Sequence, residues 1–308
     1  MDNFLTLSVS PHIHSGRSTA AIMRDVLIAL LPTTVAGTLI FGLRSLLVVA
    51  VCVASCVLLE ALFNLIAKKD QTIGDLSAAV TGLLLALNLP ANIPIWQCVI
   101  GSIFAIVLVK CLFGGIGRNM VNPAITARVF MLVAFGSMAK AAFPQNVDAV
   151  SSATPLMQIE QGTTPALLDL FLGKCGGAIG EVSAAALLVG FVYLLIRRVI
   201  TWHIPVVYIG SVFLLSLAIE GSATTALALI LSGGLFIGAI FMATDYVTSP
   251  PTPWGKVIFA LGAGLLTFLI RYFGVYPEGV SFAILFMNIL TPYVEKLGAF
   301  KVFGGQKK

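Results

Sequence analysis

The sequence predicts an all-α polytopic membrane protein of about ten transmembrane helices, divided into two inverted five-helix repeats. Composition is the first observation: of 308 residues, 58% are hydrophobic and only 10% are charged, with a mean hydropathy of +1.02. Soluble domains carry roughly 25% charged residues, so an ordinary water-soluble fold is excluded. The second observation is the recurrence of apolar runs close to the ~20 residues that cross a bilayer as helix. The third is the placement of basic residues, which gives those runs a direction.

Residues 1–23 read as a cytoplasmic N-terminal segment. Asp2, His12, His14, Arg17 and Arg24 precede or meet the first long apolar run, a pattern unlike a cleaved signal peptide. The first half, 24–138, holds spans near 24–42, 44–66, 74–92, 94–113 and 122–138. A loop over 139–181 leads to the second half, 182–297, with spans near 182–199, 204–220, 223–243, 256–272 and 279–297, followed by a basic cytoplasmic tail over 298–308.

With the N-terminus in the cytoplasm, fourteen of the 18 lysines and arginines fall on inner loops or adjacent span ends, leaving Arg44, Lys140, Lys174 and Arg271 outside. This satisfies the positive-inside rule and accounts for the net charge of +5 without nucleic acid. Both termini are then cytoplasmic, and the 139–181 loop lies on the outer face of the membrane. Five spans per half is an odd number, so two homologous halves would face opposite ways. Candidate helix breaks are 74–82 and Asn88-Leu89-Pro90 in the first half, and 222–225 and Ser232-Gly233-Gly234 in the second. A plainer reading is that these small residues let helices pack closely.

Three segments carry candidate chemistry. In the outer loop, Asp148-Ala149-Val150-Ser151-Ser152-Ala153-Thr154 is small and polar, and Pro155 biases Thr154 toward an extended backbone that presents its hydroxyl. The pattern resembles the site at which a flavin transferase joins a threonine hydroxyl to the phosphate of FMN. On the inner face, Gly114 to Ala124 combines glycines that permit tight backbone paths with the amides of Asn119 and Asn122, suited to the edge of a ring system. It reads equally as a helix-start turn with Pro123 in the first turn. Its glycines do not have dinucleotide-fingerprint spacing. The third segment, 241–253, places Asp245 at the membrane boundary among Thr244, Thr248 and Ser249, where it binds a cation, orients a cofactor or caps a helix.

Other chemistry is excluded by pattern. The five cysteines include no Cys-x-x-Cys pair, which disfavours an iron–sulfur site held by this chain alone, and Cys175 in the outer loop has no disulfide partner there. His12, His14 and His203 are poorly placed for haem or a metal and are expected to be exposed. No metal site and no catalytic side chain is assigned. Glu60, Asp75, Glu220 and Asp245 lie toward span ends, which argues against an ion path built only on this chain's carboxylates.

Asp-x-x-Ser-Ser-Ala-Thr, Gly-Gly-x-Gly-x-Asn-x-x-Asn-Pro-Ala and Met-Ala-Thr-Asp-x-Val-Thr-Ser-Pro occur in one order along nearly the whole chain. Together they resemble the RnfD/NqrB family, membrane components of Rnf ion-translocating electron-transport complexes and of the related sodium-pumping NADH:quinone reductases. That family often has proline after the Asp of the third motif, where this chain has Tyr246. The resemblance implies FMN joined by a phosphoester to Thr154, with Ser151 and Ser152 beside the phosphate. It also implies a second, non-covalent flavin similar to the riboflavin of related subunits, other Rnf subunits and a flavin transferase as partners, and a lipid bilayer as surroundings. The complex would couple electron flow between ferredoxin and NAD to Na+ or H+ movement, the chain acting as an oxidoreductase subunit that does not catalyse the full reaction alone. The competing classes are a solute channel or secondary transporter with an inverted-repeat fold and a scaffold protein of the complex.

Overall fold

The computed structural model describes residues 18–139, 142–144, 154–274 and 278–297, which are mostly helical. Among them no strand forms, only an isolated antiparallel bridge between Ala142 and Gly177. The helices are α1 (Thr19–Phe41), α2 (Leu43–Ile66), α3 (Ser77–Leu87), α4 (Ile95–Cys111) and α5 (Pro123–Ala134), then the short α6 (Pro155–Glu160) and α7 (Leu167–Leu172). The second half has α8 (Ala184–Ile196), α9 (His203–Glu220), α10 (Ala223–Leu231), α11 (Leu235–Met242), α12 (Pro253–Phe273) and α13 (Val280–Leu297). Two of these contain wider turns, Phe104–Cys111 in α4 and Gly238–Met242 in α11, both π-helical.

Among the described residues five helices, α1, α2, α9, α12 and α13, are long and apolar enough to cross a membrane, and α10 with α11 makes a sixth if the bent pair is one span. That pair turns by 66° at Ser232-Gly233-Gly234, where the sequence suggests a break. The loop expected over 139–181 is not wholly irregular, since α6 and α7 lie within it.

Local chemistry explains the boundaries. Ser18 caps α1 by accepting from the Ala21 amide at 3.2 Å. Gly42, at φ 79°, separates α1 from α2 in a conformation that a side chain would strain. Asn122, Thr154, Ser183, Ser222 and Thr252 cap the starts of α5, α6, α8, α10 and α12. Pro123, Pro155 and Pro253 occupy the first turn that follows, where no amide is needed.

α2 packs against α3 and α4, α9 against α10 and α12, α1 against α8, and α12 against α13. The centre is dense and aliphatic: Leu30, Leu85, Leu87, Ile125, Met131 and Phe259 are fully buried, and buried Tyr208 joins Thr267 through their hydroxyls at 2.6 Å. Many large apolar side chains also face outward, with Leu39 80% and Leu43 82% exposed. Such a surface suits hydrocarbon, where helix association depends on close packing rather than on excluding water.

Gly190 is one such close contact. A Cβ there would stand 2.3 Å from the Ala29 carbonyl oxygen, so α1 and α8 touch backbone to backbone. Gly190→Val is expected to force them apart and cost roughly 1–3 kcal/mol. The check is the thermal midpoint of the detergent-solubilised chain, and an unchanged midpoint contradicts the close-contact account.

Candidate functional site

The glycine-rich turn before α5 and the turn after α11, far apart along the chain, close on one cavity of about 350 Å3. Its apolar wall comes from Ile22, Met23 and Val26 of α1, Val80 and Leu84 of α3, Leu194 of α8 and Phe241 of α11. Its polar residues are Thr19, Ser77, Thr81, Lys110, Asn119, Asn122, Thr244, Asp245 and Tyr246. An apolar hollow of roughly 300–1,000 Å3 with a small number of placed polar groups is the usual form of an organic-ligand site.

Asn122 is the hinge of this arrangement. Its Oδ1 accepts from the amides of Ala124 at 3.0 Å and Ile125 at 3.4 Å, capping α5, while its Nδ2 donates to the Met242 carbonyl at 3.3 Å. The helix-start reading of this segment therefore holds, and the same side chain ties the two motifs together. Asn119 donates to the Val121 carbonyl at 3.0 Å. Gly114, Gly115 and Gly117 all have positive φ, which lets this turn fold tightly beneath the cavity.

Asp245 caps its own turn rather than a helix. Its carboxylate accepts from the Val247 amide at 3.4 Å and the Thr248 hydroxyl at 3.2 Å, and its carbonyl accepts from the Ser249 hydroxyl at 2.7 Å. Burial raises the carboxyl above the usual carboxylate range, opposed by those two donors. Tyr246 donates its hydroxyl to the Val199 carbonyl, so the turn is pinned to the α8–α9 junction.

Thr154 lies elsewhere. Its backbone is extended, φ −63° and ψ 157°, as Pro155 predicts, and its hydroxyl accepts from the Met157 amide at a long 3.4 Å. It is half-buried and is not part of the cavity lining. α6 packs beside α10, near the break, where a Cβ on Gly233 would meet Leu156 at 2.9 Å. Ser151 and Ser152 lie outside the described residues, as do His12 and His14.

Residues 6–304 match the family described as NQR2, RnfD, RnfE. The chain belongs to that family. It is 46% identical to the D subunit of the Na(+)-translocating ferredoxin:NAD(+) oxidoreductase complex of Acetobacterium woodii, over 98% of this chain and 96% of that protein. It is 40% identical to the D subunit of the proton-translocating ferredoxin:NAD(+) oxidoreductase complex of Clostridium ljungdahlii, over 99% of this chain and 98% of that protein. Identity to the D subunit of the ion-translocating oxidoreductase complex of Stutzerimonas stutzeri is 37%, over 92% of this chain and 91% of that protein.

Two buried charge clusters of this family member are not visible in its sequence. Lys110, 2% exposed, donates to both oxygens of Glu60 at 2.9 Å and to the Ser77 hydroxyl at 2.6 Å, at the cavity margin. Thr72 donates to the same Glu60 at 2.7 Å and accepts from Asn64 at 3.0 Å. Arg128, 3% exposed in the middle of α5, donates to Asn88, to Glu181 at 2.7 Å and to Glu278. Glu181 stands over the helix break, its carboxylate 2.9 Å from where a Cβ on Gly234 would lie. Hydropathy treats Lys110 and Arg128 as markers of span ends; here both are ion-pair partners inside the protein.

His203 also departs from expectation. It is half-buried rather than exposed, stacks on Trp202 with ring centroids 4.3 Å apart, and has a buried Nδ1 with no partner among the described residues. All five cysteines are free thiols. Burial raises the Cys175 thiol to about 12, reinforced by Glu181 and Asp169, so it is held protonated.

Proposed function

We propose that this chain is the flavin-carrying membrane subunit of an Rnf-type complex, relaying electrons between ferredoxin and NAD in a path coupled to Na+ or H+ movement. One observation carries the reading beyond the relatives' names: the turn singled out for ring binding and the Asp245 turn, read as binding a cation, orienting a cofactor or capping a helix, converge on a single apolar cavity of about 350 Å3 with a few amide, hydroxyl, carboxylate and ammonium groups. A flat ring with apolar rims and one polar edge fits that chemistry. The second, non-covalent flavin, riboflavin-like, is assigned to this cavity, with Asn119, Asn122 and Asp245 at its polar edge. FMN is assigned to Thr154 as a phosphoester, with Ser151 and Ser152 near the phosphate.

Bound flavin supplies one- and two-electron chemistry. The chain's own residues tether it, orient it and exclude water. Asn122 holds two walls of the cavity in register through α5 and Met242, while Val26, Val80 and Phe241 close its apolar side.

The ten-span, inverted-repeat architecture belongs to the same proposal. Each of the ten stretches read as spans contains helix. Packing supports the repeat: α2 meets α3 and α4 as α9 meets α10 and α12, and α1 meets α8 as α5 meets α13. Under this topology the cavity faces the cytoplasm, Thr154 faces outward, and a flavin transferase acts on Thr154 from outside.

Val26→Trp places bulk into the cavity away from Thr154. The expected result for the protein purified from cells that make the flavin transferase is loss of the flavin released by denaturation, with the covalently attached flavin retained. Unchanged release would remove the cavity assignment; the measurement is flavin in the supernatant and pellet after acid precipitation.

A further inference from the structure

A second hollow, about 400 Å3 and apolar throughout, runs between α8, α9, α10 and α11, walled by Leu188, Phe191, Ile209, Phe213, Ile230 and Phe236. It follows α9 down to Pro205 and Val206, within one turn of His203. Two basic side chains lie near that end. Arg198, held at φ 53°, is exposed, and Lys256 reaches the Thr201 hydroxyl at 3.1 Å. Nearby Asp25 is already engaged by Arg197 and Tyr193.

Two further features fix the level and the sign. Trp202 and Trp254, 54% and 70% exposed, open the packed helices α9 and α12, and exposed tryptophans of this kind sit at the headgroup layer. The 18-residue helix α9 begins without a side-chain cap, so its free amides and dipole add positive potential beside Arg198 and Lys256. The buried Nδ1 of His203, without a partner among the described residues, lies in the same first turn.

We propose that the chain holds one anionic phospholipid here, its acyl chain in the groove and its phosphate at the Arg198–Lys256–α9 junction. Apolar length above a basic, tryptophan-marked rim matches the two parts of such a lipid, and a basic pocket between membrane helices selects an acidic headgroup. A zwitterionic lipid fits the groove but not the rim, and a free anion fits the rim but not the groove.

The test uses the full chain with Trp96→Phe and Trp254→Phe, leaving Trp202 as reporter, in phosphatidylcholine vesicles. Brominated phosphatidylglycerol or brominated phosphatidylcholine is titrated in, and quenching of Trp202 is followed. The acidic lipid is expected to bind at least about fivefold tighter. Arg198→Gln with Lys256→Gln should bring the ratio near one. Gly210 lines the groove and a Cβ there meets nothing within 4 Å, so Gly210→Phe should fill the groove and weaken both lipids while the chain stays folded. Equal quenching by the two lipids, full preference retained in both variants, displacement by inorganic phosphate, or loss of phosphatidylglycerol when the complex assembles over the groove would each overturn the proposal.

Discussion

Arg128→Leu is expected to destabilise the folded protein by about 3–5 kcal/mol, the scale found when one partner of a buried ion pair is removed. The guanidinium is a hub: it reaches Asn88 at the end of α3, Glu181 ahead of α8 and Glu278 ahead of α13. Without it the buried carboxylate of Glu181 and the half-buried carboxylate of Glu278 are left together without their shared cation beside the helix break. Arg271 does not replace it, since its donors go to the carbonyls of Leu229, Ser232 and Glu278.

The loss should depend on pH in a defined direction. Burial and Glu181 already raise the Glu278 carboxyl to about 7, with Arg128 and Arg271 opposing. Removing Arg128 raises it further. An acid whose folded value lies above its unfolded value opposes folding in full above the folded value, and that opposition fades as pH falls from the folded value to the unfolded one. The deficit of the Leu variant should therefore be widest near about pH 8 and narrow toward about pH 5. Thermal unfolding in detergent at both values measures it. A variant within about 0.5 kcal/mol of the parent at the higher pH, the range of ordinary surface substitutions, contradicts the hub.

Much of the helical layout is legible because hydropathy, proline and capping residues act locally. The start of α5 at Asn122-Pro123, the start of α6 at Thr154-Pro155 and the break at Ser232-Gly233-Gly234 all follow from side chains within a few positions. The charge clusters are not legible, because the partners of Arg128 lie 53 and 150 residues away and Glu60 lies 50 from Lys110. A hydropathy window penalises each charge singly and cannot register that an opposite charge arrives from another helix. Span lengths suffer similarly. α3 has 11 residues and ends at Asn88, whose side chain bonds back to the Leu84 carbonyl at 2.7 Å, although the apolar stretch continues past it. Residue chemistry marks the Asn119–Asn122 turn as a ring-binding candidate and the Asp245 turn as a cation-binding, cofactor-orienting or capping one, yet the bond from Asn122 to Met242 that joins them requires the fold.

Thr154→Ala carries the largest functional effect. Among the described residues, the extended backbone at Thr154 and the long 3.4 Å cap contact leave its hydroxyl weakly engaged, which suits a group that must enter another enzyme's active site. Removing it eliminates the only proposed point of covalent attachment, so loss of attached flavin should be complete rather than graded. Structural cost should be small. An N-cap change to Ala costs about 0.5–2 kcal/mol, here in a six-residue helix, so the variant should fold and retain the flavin assigned to the inner cavity. That separates a lost tether from a lost protein.

The most direct measurement is flavin fluorescence of the chain after denaturing electrophoresis, comparing the parent with Thr154→Ala, each co-produced with a flavin transferase shown to be active on its own substrate. A fluorescent parent band and a dark variant band of equal protein are expected. A dark parent band, or a variant that fluoresces as the parent does, would contradict the assignment of covalent flavin to Thr154.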